Sequence, residues 1–433
     1  MKNLSVFQMV VMGIFSASAV IGFIFFTIYE PTNRGQEKVK IGEIQIWGTV
    51  DSSIMENMLN KLKNLNSDYK GVYYVQKDKD NFKIDLLEAI ASGNSPDLFL
   101  ISQSTLFENQ NKISKIPYSY MSARYFKDTY LDVFSIFDSK DGFYAMPFMV
   151  DPMVMYYNKT MFNSAGIALP PKEWKDFVKM APSLTKKESD GTILKSATAF
   201  GETINVANLK QIISTFLLQT GNQIVTYDKD GKLVSDKSFS GKGKSVAGLI
   251  FFNEFSNQLS KIYSWNRTLP NSKDYFIAGN LATYFGFVSE IANLQKKNPN
   301  LNFDVAEIPS TSETFDKTVF ANVWGFAILK NSQNKMGAYK TAQHLSGPEI
   351  QKSLSKLTYL PSVRKDLSAE TADDPYMDIF KKEAIYAKTW VDPSEEQTNQ
   401  IFKYMVNSIK SGNQSPSGAL SEAYQEIEYL LNN

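Results

Sequence analysis

The chain has 433 residues, too many for one small core, so two lobes or domains are expected. With 46 basic against 45 acidic side chains the net charge is +1, which gives no electrostatic ground for nucleic-acid binding. No cysteine and a single histidine, His344, exclude disulfides, thiolate metal sites and cysteine nucleophiles, and leave little room for zinc or a Ser-His-Asp triad.

After Lys2 the chain is apolar almost without interruption from Leu4 to Tyr29, long enough for a helix to cross the roughly 30 Å hydrocarbon layer of a bilayer. Ala17-Ser18-Ala19 has the form of a cleavage site, yet Val20 to Tyr29 stay apolar where a cleaved signal would turn polar. The expectation is an uncleaved single-pass anchor over residues 1–29, a cleaved signal segment being the other reading. Lys2 places the N-terminus inside and the body outside the cytoplasm, behind a polar tether over residues 30–39.

Ile41 to Trp47 reads as a strand, and Asp51 or Ser52 can cap a helix carrying Ile54, Met55, Met58, Leu59, Leu62 and Leu65 on one side. Val72 to Gln76 is the next strand, followed by a helix burying Leu86, Leu87 and Ile90 and ending at Gly93, then a third strand, Asp97 to Ser102. This alternation predicts a right-handed parallel α/β sheet. Ligands in such sheets sit beyond the C-terminal strand ends, here Trp47-Gly48-Thr49 and Ser102-Gln103-Ser104.

Residues 142–184 predict a short strand ending at Pro147, a crossing broken by Pro152, an apolar strand from Met153 to Tyr157 and an Asn158-Lys159 turn. A short helix stops at Gly166. After Pro170-Pro171 comes a helix with Trp174, Phe177, Val178 and Ala181 on one stripe. Further on, Asp228-Lys229-Asp230-Gly231 reads as a hairpin turn, and Ser238 to Ser245 as a basic surface loop without the first glycine of a phosphate loop.

Gly142, Tyr144, Ala145, Pro147, Asp151, Tyr157, Asn158, Lys159, Phe162, Ala165, Gly166, Pro171 and Trp174 stand in one register. In that order they resemble the segment by which extracellular solute-binding proteins of the family-1, maltose-binding type cross between lobes. The resemblance extends to the turn at Ala91, Gly93, Pro96 and Asp97, to Phe276–Ala282, to Trp324–Leu329 with Lys330 and Ser332, and to Leu360-Pro361. It implies a two-lobed α/β clamshell of the type II periplasmic-binding-protein kind, with three interlobe crossings, behind the N-terminal transmembrane helix. Phe303 to Pro309 would be the return crossing. Residues 40–149 with 312–357 would form one lobe, and 153–308 with 361–433 the other.

The candidate ligand contacts are Trp47, Thr49, Asp51, Ser102, Gln103, Asp151, Phe287 and Trp324. Trp47 can stack on a sugar ring or be a core tryptophan; Asp51 can accept from hydroxyls or cap its helix. Ser102, Gln103 and Ser104 offer donors and acceptors for a polyhydroxylated ligand. By resemblance, Asp151 holds the position of an acidic ligand contact, the alternative being bonds to backbone amides around Pro152. Phe287 stands in for a tryptophan that the family often carries in that loop. Trp324 enters the cleft-facing end of its strand, whereas Trp174, Trp265 and Trp390 are read as packing.

The resemblance implies a monomeric, membrane-tethered receptor that delivers a small molecule, by preference a sugar or oligosaccharide, to the permease of an ATP-binding-cassette (ABC) importer. No cofactor, metal or catalytic residue is expected. The alternatives are an anchored carbohydrate hydrolase using two carboxylates, and a sensory receptor on the same fold.

Overall fold

A computed structural model of the chain describes residues 41–241, 244–311, 317–371 and 374–433. The expected anchor and tether lie outside the described residues, and among the described residues no helix is long and apolar enough to cross a membrane.

The N-terminal elements form as their patterns dictate. Ile44–Gly48, Val72–Gln76 and Leu98–Ser102 are strands, and the first pairs in parallel with both others. The Ser52–Leu65 helix buries Met55, Met58, Leu59 and Leu62 against them. The next helix, Phe82–Ser92, ends at Gly93 with φ 75°, a left-handed cap that glycine adopts without steric cost. It buries Leu86 and Ala89, while Leu87 is exposed and Ile90 half-buried, so the buried stripe is narrower than the sequence suggests. Asp97 ties this layer together, accepting from the Gln45 amide at 3.1 Å and from the Ser332 hydroxyl at 2.6 Å.

Two long strands, Met146–Asn158 and Val319–Leu329, run antiparallel to each other through the middle of the molecule. On one side the second of them pairs with Leu98–Ser102; on the other the first pairs with Leu281–Phe287, which continues to Ile193–Thr198. All lie in one eleven-stranded hydrogen-bonded sheet. The α/β halves on either side are the two lobes.

Met146–Asn158 is one strand of 13 residues, where the sequence predicted a stop at Pro147 and a break at Pro152. Both prolines sit where an absent N–H costs little. Trp324 pairs with Met149 and Gly325 with Pro147, so Phe148 is the extra residue of a β-bulge beside Pro147. Pro152 pairs with Ala321 at the end of one ladder, and Met153 opens the next by pairing with Phe287. The bulge also draws the strands close: a Cβ on Gly325 would meet Ala145 Cβ, Met146 O and a Phe137 ring carbon, each at 2.8 Å.

Phe303–Ala306, expected as a return crossing, is an edge strand on Met155–Asn158. Val319–Leu329 then lies between the Met146–Asn158 and Leu98–Ser102 strands. Residues 363–365, just beyond Leu360-Pro361, stay against the Leu131-Asp132 segment, since the Leu131 amide donates to Val363 O and Lys365 reaches Asp132 at 2.6 Å. The Trp174–Leu184 helix forms as predicted, burying Trp174, Phe177 and Ala181, with Val178 only half-buried. Val225–Tyr227 and Leu233–Ser235 pair around the predicted turn, where Asp228 Oδ1 accepts from the amides of Asp230 and Lys232. The chain ends with helices Glu395–Lys410 and Pro416–Asn432 packed together.

Candidate functional site

The parallel strand Leu98–Ser102 ends in a polar loop because Ser102-Gln103-Ser104-Thr105 bonds to itself. Ser102 N donates to Thr105 Oγ1 at 2.9 Å, and the hydroxyls of Ser102 and Ser104 lie 3.0 Å apart. This loop opens on a cleft of about 840 Å³, within the range of small-molecule sites. Thr49 adds the end of the first strand. Phe320, Asn322 and Trp324, at i, i+2 and i+4, present one face of the Val319–Leu329 strand as its floor. Lys210 and Gln211 open the Leu209–Gln219 helix on the far wall, with Trp390 and Asp392 beside them.

Gln103 joins floor and walls. Its Nε2 donates to Asn322 Oδ1 at 2.7 Å, its Oε1 accepts from the Val323 amide at 2.9 Å, and its carbonyl accepts from the Asp392 amide at 3.0 Å. The far wall holds a buried ion pair. Lys210 Nζ lies 2.6 Å from Asp392 Oδ2 with both side chains at most 5% exposed, and Thr398 Oγ1 stands 3.0 Å from the ammonium. At the rim, Lys79 faces Glu395 at 3.6 Å and Lys83 faces Glu108 at 2.7 Å.

The sequence profile described as Bacterial extracellular solute-binding protein matches residues 58–407, most of the chain. The chain belongs to the bacterial extracellular solute-binding proteins. Membership makes it a solute-binding protein that works outside the cytoplasm, and bears out the resemblance at the level of this family. It is 21% identical to the sn-glycerol-3-phosphate-binding periplasmic protein UgpB of Yersinia pseudotuberculosis, over 90% of this chain and 92% of the relative. Its fold is similar to the cyclic α-maltosyl-1,6-maltose binding protein from Arthrobacter globiformis (TM-score 0.74, 16% identity, 90% of this chain and 99% of that one). It is also similar to the sugar-binding protein MalE from Xanthomonas citri (TM-score 0.72, 17% identity, 90% and 97%).

Within this solute-binding protein, four of the candidate contacts, Thr49, Ser102, Gln103 and Trp324, come together in the cleft. The other four are not among its lining. Trp47 is a buried core residue whose ring carries Lys77 Nζ 3.9 Å from its centroid. Asp51 is the N-cap of its helix; the Ser53 hydroxyl and, at 2.8 Å, the Ser53 amide both donate to its carboxyl and hold it below the usual range. Asp151 stands opposite Asn322 in register but is buried under the Val288–Glu290 turn, where it accepts from the Ser289 amide at 3.0 Å. That is the backbone-amide role, with the donor coming from a turn distant in sequence rather than from around Pro152. Burial pushes the Asp151 carboxyl up to about 7, with Glu290 adding to the shift. Phe287 is buried edge-on to Phe320, their centroids 6.4 Å apart, and its carbonyl accepts from the Tyr156 hydroxyl at 2.7 Å.

Trp390, read from sequence as packing, borders the cleft while lying parallel to Phe402 with 12° between the ring planes. Lys210 was legible as the single charged residue of its helix, LKQIISTFLLQ. Asn322 had an alternation signal, two positions from Trp324. Asp392 and Glu395 had none, because their place depends on how the C-terminal segment folds back.

Proposed function

We propose that the cleft takes a neutral sugar or oligosaccharide and that the protein, as a tethered monomer, delivers it to an ABC importer. The observation that carries this reading is that, among the described residues, every lysine lining the cleft, Lys79, Lys83 and Lys210, already faces a carboxylate. An anionic solute such as a glycerol phosphate would compete with those acids, whereas hydroxyls can use the amides of Gln103, Gln211 and Asn322. Trp324 and Phe320 supply aromatic surface for the C–H face of a sugar ring. The same pairing counts against a two-carboxylate hydrolase, because, among the described residues, three of the four acids lining the cleft, Glu108, Asp392 and Glu395, are engaged by a lysine, which leaves Glu396 without a second free carboxylate. A sensory receptor would need the same cleft, and a transport assay separates it from an importer component.

In this reading the apolar run from Leu4 to Tyr29 anchors the body to the membrane. We assign residues 41–149 and 325–368 to one lobe and 153–308 with the C-terminal helices to the other, the Val319–Leu329 strand passing between them, since Ser310 and Thr318 still bond to Trp174 and Gln219 of the second. The third passage falls after Ser368, because residues 363–365 are bonded to the first lobe. A ligand touching both lobes favours the closed state by its contacts, and the permease reads that state.

A thermal-shift screen of the full chain, in a detergent without a sugar headgroup, tests the ligand class. The panel holds sugars, oligosaccharides, polyols, glycerol 3-phosphate, amino acids and short peptides. A true ligand at a hundred times its Kd adds about 2.7 kcal/mol. A saturable shift with a saccharide, reduced by Trp324→Ala, supports the reading; a shift with glycerol 3-phosphate and with no saccharide overturns it.

A further inference from the structure

We propose that the ligand is a saccharide of several rings, and that its chain leaves the cleft along the groove between the Glu395–Lys410 and Pro416–Asn432 helices. This rests on the sugar reading of the cleft. The groove measures about 600 Å³ and shares Glu396, Gln397, Tyr429 and Leu430 with the cleft, so the two spaces adjoin.

Each helix brings the same pair of side chains to the groove, a glutamine one turn before a tyrosine: Gln400 with Tyr404, and Gln425 with Tyr429. Residues four apart on a helix are neighbours, so each pair puts an amide beside an aromatic ring. That combination suits a pyranose, with its C–H face on the ring and its hydroxyls on the amide. Tyr404 is 51% and Tyr429 66% exposed, an aromatic surface that the fold leaves uncovered. Among the described residues no lysine or arginine lines the groove, whereas Glu396 and Glu426 do, so it favours a neutral chain over an anionic one. From Glu396 to Tyr404 the helix rises about 12 Å, longer than one sugar ring.

The test is isothermal titration of the full chain with α-1,4-glucan, β-1,4-glucan and β-1,4-mannan oligosaccharides of increasing length, from the disaccharide upward. The wild type is compared with a Tyr404→Ala/Gln425→Ala variant, whose changes lie in the groove and outside the cleft lining. In the series that binds, wild-type affinity is expected to rise about tenfold from the shortest to the longest member, and the variant to lose that gain while keeping the shortest one's affinity. Affinity independent of length in both proteins, or an equal loss at every length in the variant, overturns the groove and leaves the sugar reading standing. Absence of binding by every series, with a non-saccharide hit in the thermal screen, overturns the sugar reading and this inference with it.

Discussion

Asp151 and Asn322 stand directly opposite each other on the two central strands, and their surroundings differ completely. Asn322 reaches the cleft and is held there by Gln103, while Asp151 is sealed beneath the turn that follows the Leu281–Phe287 strand. Register puts a residue on a face of a sheet; what lies over that face decides whether a solute can reach it. The two sites also treat charge differently. The cleft wall keeps its buried carboxylate, Asp392, beside an ammonium, whereas Asp151 has an amide donor and a nearby like charge on Glu290.

The largest effect should come from breaking the paired side. Lys210→Met strands the Asp392 carboxylate, and removing one partner of a buried ion pair costs about 3–5 kcal/mol, measurable by urea unfolding. A loss under about 1 kcal/mol would mean that the pair is solvated.

On the unpaired side, Asp151→Asn should stabilise at neutral pH. The Asp151 carboxyl is raised from 3.8 to about 7, so between these values the folded state holds a proton that the unfolded chain has lost. Stability therefore falls as pH rises through that window and is indifferent to this group below it. The variant should gain on the order of a few kcal/mol at pH 7 and nothing at pH 3, read from unfolding curves at both values. Glu383, also raised to about 7 by burial, supplies the same trend from a second place and leaves part of the slope in the variant.

Gln103→Ala leaves the Val323 amide and the Asn322 side chain without their partner and should cost about 1–3 kcal/mol in stability. It should weaken saccharide binding as well, and titration of the folded variant separates the two effects. Asp51→Ala is the smallest. It removes an exposed helix cap and should lower stability slightly while leaving ligand affinity unchanged, which calorimetry and titration would show together. A change in affinity would put Asp51 back among the contacts.

The strand and helix patterns of the first lobe were legible because each is local. Alternation, caps and Gly93 specify the elements without reference to the rest of the chain. Pro147 and Pro152 misled for the opposite reason: whether a missing N–H matters depends on the partner strand, and here a bulge and a change of partner absorb both. Half of the candidate contacts failed to reach the cleft on similar grounds. The position of Asp151 follows from the motif, but the turn that buries it arrives from residues 288–290.

The sequence by itself determined the family, which is written along residues 58–407, and also the α/β class and the polar strand end at Ser102-Gln103, whose patterns are local in the chain. Tertiary structure alone decided the cleft's far wall. Lys210 meets Asp392 across 182 residues, and Ser104 meets Glu395 across 291. No periodicity encodes such meetings, because they exist only once the C-terminal segment has folded back over the central strands.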